Sequence, residues 1–177
     1  MKKLLFLSVF IALIACGSTK SFQSFFNEHK NDIGVTAFQV PNFMKTLLGS
    51  ISPEMNGLFG KVNDFKFITF NEITPAKQQE LIQQINLVTS NYKDIIRKNS
   101  VEKTKIVAVI EHGDIVKQAI IFNATPQKAS AFYLKGNFNP NELQRISETN
   151  QFEELSDKLI QNNFQTPINK GFNPYQQ

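Results

Sequence analysis

The chain has 177 residues, with 19 Lys and Arg against 15 Asp and Glu and a formal charge of +4. That balance is too even to argue for a nucleic-acid partner, and the length suits one domain with a real core but hardly two. A lone cysteine leaves the fold without a disulfide, so burial must supply its stability.

Lys2 and Lys3 precede a short apolar run, Leu4 to Ala15, which leads into Leu13-Ile14-Ala15-Cys16-Gly17-Ser18. The run is shorter than the roughly 20 apolar residues needed to cross a bilayer. Its basic start and the small residues near the cysteine read as a removable secretory segment. The pattern resembles a bacterial lipoprotein signal with its lipobox. The resemblance implies that Cys16 carries a diacylglycerol on its thiol, that cleavage falls just before it, and that the new amino group is acylated. Burial stabilises an acyl chain by about 0.8 kcal/mol per methylene, so one chain is marginal and two or three hold durably. Cys16 is therefore expected to be a lipid attachment point and not a nucleophile. Gly17 in the next position implies the outer membrane, and the lack of an acidic residue from Gly17 to Ser21 implies its periplasmic leaflet. The expected organisation is a signal at 1–15, a lipidated tether at 16–21, a domain at 22–163 and a loosely ordered tail at 164–177. Loss of Lys2 and Lys3 with the signal lowers the charge to +2.

Phe22, Phe25, Phe26 and His29 fall at helical spacing and predict a helix to about Asn31. Val35 to Val40 reads as a strand between Gly34 and Pro41. Asn42 is a candidate N-cap for a helix bearing Phe43, Leu47 and Leu48, and Ser52-Pro53-Glu54 opens a short one through Phe59. Asp64 to Phe70 reads as a buried strand. Thr74-Pro75 then starts the strongest helical pattern, with Leu81, Ile85, Val88, Tyr92, Ile95 and Ile96 along one stripe. Lys93, Arg97 and Lys98 would occupy its last turns, where cations favour the negative end of the helix dipole. Lys105 to Glu111, Ile115 to Asn123 and Ala129 to Asn137 predict an antiparallel meander with turns at His112-Gly113-Asp114 and Thr125-Pro126-Gln127. Asn139-Pro140 begins a helix with Leu143 and Ile146, and Phe152, Leu155 and Leu159 mark another. These elements predict a single two-layer α+β domain, with about five mostly antiparallel strands and helices packed on one face. Ile106 to Ile110, apolar on both faces, predicts an interior strand.

The succession Phe22-Gln23-Ser24-Phe25-Phe26-Asn27-Glu28-His29, Gly34 to Val40, Met44 to Leu48 and Phe65-Lys66-Phe67-Ile68-Thr69-Phe70 resembles the DUF4252 family. These are small exported proteins of Bacteroidota whose function is not established. The resemblance covers roughly Phe22 to Ile160 through hydrophobic patterns, and it implies no catalytic residues.

The residues themselves offer little chemistry. His29 and His112 are the only histidines, and no pair at helical spacing with carboxylates suggests a zinc site. Glu111-His112-Gly113-Asp114 fits a solvated hairpin turn, and His29 a partly buried helix position or a cation at a helix end. There is no G-x-S-x-G turn, P-loop or dinucleotide fingerprint. Glu153-Glu154 read as surface, and the Asn123-Ala124-Thr125 sequon carries no weight in a bacterial envelope protein. No enzyme activity, cofactor or metal is expected. The leading expectation is an interaction module that its lipid holds near envelope partners, docking through a sheet edge or an apolar patch. The alternative is a carrier of a hydrophobic ligand such as lipid, in which Phe22, Phe25, Phe26, Phe65, Phe67, Phe70 and Phe132 line a cavity instead of filling a core. An envelope hydrolase with a dispersed site ranks third.

Overall fold

The computed structural model describes residues 20–40, 45–100 and 102–161. Cys16, Asn42 and the tail from Phe164 lie outside them. Six antiparallel strands form one sheet: β1 (Val35–Val40), β2 (Val62–Asn71), β3 (Lys93–Asn99), β4 (Thr104–His112), β5 (Ile115–Ala124) and β6 (Lys128–Phe138). Their order in space is β1-β2-β6-β5-β4-β3, so the last four run as a meander and β2 docks on β6. The described helices are α1 (Phe22–His29), α2 (Lys45–Ile51), α3 (Asn56–Phe59), α4 (Pro75–Val88), α5 (Pro140–Glu148) and α6 (Gln151–Gln161), with a 3-10 turn at Pro53–Met55.

The α+β class and the antiparallel meander are as the sequence predicts, and β4 is paired on both sides. The strong helical stripe is not. α4 stops at Val88, ten residues short of Lys98. Thr89-Ser90-Asn91 follow, residue types whose side chains compete for backbone groups. The Thr89 hydroxyl donates to the Ile85 carbonyl at 2.9 Å and closes the last turn. Ile95 and Ile96, β-branched and stiff at χ1, then lie in β3, the sixth strand. Lys93, Arg97 and Lys98 therefore stand on an edge strand instead of a helix end. Arg97 still reaches that end from outside, donating to Asn86 Oδ1 at 2.5 Å and Thr89 Oγ1 at 3.2 Å. Its Nε and Nη2 fork onto Asp94 at 2.7 Å each. Those hydrogen bonds hold the Asp94 carboxyl below its ordinary pKa of 3.8.

Helices cover both faces of the sheet, not one. Phe22, Phe25 and Phe26 of α1 and Leu81, Ile82 and Ile85 of α4 pack on Ile68, Phe70, Ile106, Ile120 and Phe122. α2, α3, α5 and α6 pack on the other face, over Phe65, Phe67, Val107, Ile121 and Phe132. The cause is in the strands. Ile106 to Val109 and Ala119 to Phe122 are apolar and buried at every position, and such a strand needs cover on both sides.

The phenylalanines fill this double core. Phe67 and Phe132 lie 4.8 Å apart between ring centroids, Phe132 and Phe152 5.2 Å, and Phe25 and Phe70 6.0 Å. Two glycines permit the backbone its closest turns. Gly113 takes φ +60° as the first central residue of the β4–β5 hairpin, as a type II′ turn requires. At Gly136 a Cβ would fall 2.1 Å from the Lys61 carbonyl oxygen, so only glycine lets β6 pass there. Asn139 caps α5 by accepting the Asn141 and Glu142 N–H groups at 2.9 and 3.3 Å.

Candidate functional site

The two histidines do not converge with carboxylates into a cleft. His112 is exposed beside its hairpin turn, and neighbouring Glu111 accepts from Lys93 Nζ at 2.8 Å. His29 is buried at the end of α1. Its Nδ1 lies 2.8 Å from Asp32 Oδ2 and its Nε2 2.7 Å from Gln84 Oε1, while Phe25 and Phe70 meet the ring at its edges. This arrangement pins α1 to α4. Among the described residues no group of three His, Cys, Asp or Glu is placed to hold a metal ion. Among them, too, no helix is long and apolar enough to cross a membrane.

The register of the sheet reveals what sequence spacing does not. Thr36, Thr69, Ser130, Asn123, Lys105 and Lys98 stand opposite one another, strand by strand, in a polar row across all six strands. Two residues along on the same face lies the apolar row Phe38, Phe67, Phe132, Ile121, Val107 and Ile96. α6 covers both, setting Phe152 on the apolar row and Glu153 and Ser156 near the polar one. Between α6 and the polar row is a cavity of ≈ 200 Å³ that Asn123, Ser130, Glu153 and Ser156 help to line, with Lys103 and Lys128 beside it. Glu153 Oε1 accepts from Lys103 at 2.9 Å and Lys105 at 3.3 Å, and Lys128 pairs with Asp157. Glu153 is thus enclosed by lysines and not simply a surface residue. Asn123, first residue of the sequon, is buried in β5.

A second cavity, of ≈ 190 Å³, shows what a satisfied polar site looks like in the same molecule. Tyr92 and Tyr133 both donate to Gln118 Oε1, at 3.1 and 3.2 Å. Lys66, nearly buried, pairs with Asp64 and lies 4.9 Å above the Tyr133 ring. Burial pushes the Tyr92 hydroxyl up to about 12 and raises that of Tyr133 as well, so both remain neutral donors.

The edges of the sheet differ in kind. β3 carries Lys93, Asp94, Arg97 and Lys98 and has a register shift at Asp94 to Ile96. Charges and bulges of this sort discourage a further strand. β1, Val35-Thr36-Ala37-Phe38-Gln39-Val40, has no charge and no shift in its pairing with β2. At its start Ile33 is fully exposed beside a cavity of ≈ 240 Å³ that Gly34, Phe70 and Ile73 help to line.

The fold is thus a small α+β domain whose sheet is covered on both faces, and among the described residues β1 ends it on an uncharged edge. The sequence profile described as "Domain of unknown function (DUF4252)" matches residues 26–146, more than half of the chain, and the protein belongs to that family. The match takes in the whole sheet and ends in α5, so Glu153, Ser156 and Asp157 lie beyond it. No curated protein and no solved structure matches the chain.

Proposed function

We propose that this protein is a lipid-anchored docking domain of the cell envelope, held on the periplasmic face of the outer membrane through acyl chains on Cys16. An extended segment of an envelope protein adds to the free edge of β1. The observation that carries this reading is the contrast between β1, uncharged and unshifted, and β3, charged and bulged. A peptide strand adding to β1 gains main-chain hydrogen bonds along its length, and Ile33 with the neighbouring cavity offers a side-chain contact at one end. Anchoring confines both partners to a thin layer and raises their effective concentration. The carrier reading is weaker, because the phenylalanines that would line its cavity pack ring on ring in both cores.

The test places a photo-crosslinking residue at Thr36 or at Lys98, the two ends of the polar row, in the full-length protein in native membranes. The expected adduct forms at Thr36 with one segment of one envelope protein and not at Lys98. Gln39→Lys, which puts a charge on the edge, should cut its yield about fivefold, equivalent to about 1 kcal/mol. Equal yields from both edges, or lipid as the only adduct, would reject the docking reading. For the anchor, Cys16→Ser is expected to leave an unprocessed precursor that takes up no palmitate.

A further inference from the structure

We propose that the cavity between α6 and the polar row is a binding site for a neutral polyhydroxylated molecule the size of one sugar. Six buried side-chain polar atoms among the described residues lack a hydrogen-bond partner, and four of them belong to residues lining this cavity. They are Asn123 Nδ2 and Oδ1, Ser156 Oγ and Glu153 Oε2. Asn123 is only 6% exposed and Ser156 1%, so bulk water does not readily solvate either. Buried polar atoms are normally paired, and a cluster of exceptions around one cavity calls for a ligand.

The atoms specify its chemistry. The Asn123 amide offers donor and acceptor side by side, the Ser156 hydroxyl does both, and Glu153 Oε2 accepts only. A hydroxyl gives one hydrogen bond and accepts others, so adjacent hydroxyls on one ring answer these atoms once the Asn123, Glu153 and Ser156 side chains turn towards the cavity they line. An anion would meet Glu153 and Asp157, and a cation would meet Lys103 and Lys128. These charges already pair with one another, which leaves Asn123, Ser156 and the second oxygen of Glu153 to choose the ligand. The volume of ≈ 200 Å³ exceeds the roughly 150 Å³ of an engineered cavity that admits benzene, a six-membered ring. The site does not depend on docking at β1.

The test uses full-length protein in a detergent without a sugar headgroup, probed with glucose, N-acetylglucosamine and ribose by saturation-transfer NMR on the ligand. At least one is expected to bind saturably. Asn123→Leu should abolish that binding while raising Tm by about 2–4 °C, because it removes a buried unpaired amide. Ser156→Ala, a smaller change, should weaken binding at least threefold in a protein that melts like the parent. Absence of saturable binding by all three sugars, or saturation by inorganic phosphate in their place, would overturn the proposal. So would an Asn123→Leu protein that binds like the parent.

Discussion

One row of residues crosses the sheet and ends at Thr36 on β1 and at Lys98 on β3. The flanks of the domain differ as much as these ends. Beside β1 the apolar row is aromatic, with Phe38, Phe67 and Phe132 in contact at 4.8 to 5.2 Å. Beside β3 it is aliphatic, with Ile121, Val107 and Ile96, and the strand is held to α4 largely by Arg97. The first flank carries buried rings and a side-chain hydrogen bond, from Gln39 Nε2 to Asp64 Oδ1 at 2.9 Å, and the second carries aliphatic side chains with the Arg97 network. Of the two edge strands among the described residues, β1 is the one without a charged side chain.

Removing a ring tests this most severely. Phe67→Ala is expected to cost about 3–5 kcal/mol in urea unfolding, while Ile96→Ala in the same row falls near the low end for an aliphatic, about 2 kcal/mol. Equal losses would mean that the flanks are held alike. Arg97→Ala should cost about 1–2 kcal/mol, below the usual value for buried charged hydrogen bonds because the guanidinium is partly exposed. Arg97→Lys should recover little of this, since one ammonium cannot make the fork. Amide exchange should show β3 loosened and β1 unchanged. Glu72, beside the cavity at the start of β1, has φ 55°, where a side chain is strained. Glu72→Gly is expected to stabilise the protein by about 0.5–1 kcal/mol, read as a rise in the urea midpoint.

The smallest effect is electrostatic. Arg97 lowers the folded-state pKa of Asp94 below 3.8, so the pair stabilises the fold above that value. The contribution is lost as pH falls through the lowered pKa. The carboxylate side chain is 42% exposed, which limits the contribution to a few tenths of a kcal/mol. Arg97→Ala should flatten the acid limb of stability against pH by that amount.

The sequence makes five strands legible because their apolar runs are bounded by Gly, Pro, Asn or Asp. β3 is hidden because Tyr92, Ile95 and Ile96 continue the spacing of Leu81, Ile85 and Val88. Pairing with β4 decides its conformation, and no local pattern records that. The second helical layer is written in β4 and β5, whose apolar residues are consecutive instead of alternating. The cavity draws on three strand or loop segments and α6, so no spacing reveals it. One local signal does exist: Asn123 and Ser130 fall within the buried stretches Ala119 to Ala124 and Ala129 to Phe132, which are otherwise apolar, and polar side chains buried in strands need a partner.

The pairing of β2 with β6 has a consequence in time. Residues 62–71 must wait for residues 128–136 before their second edge is covered. Asn71 and Lys128, which pair at one end of this ladder, are 57 residues apart, the longest closure in the sheet. Until it forms, the β1–β2 ribbon lacks its neighbouring strand, and Phe38, Phe65 and Phe67 lack the α6 side chains that pack in the same core. The meander, whose strands are neighbours in sequence, needs no such closure, and pulsed amide exchange during refolding is expected to show it protected before β1 and β2.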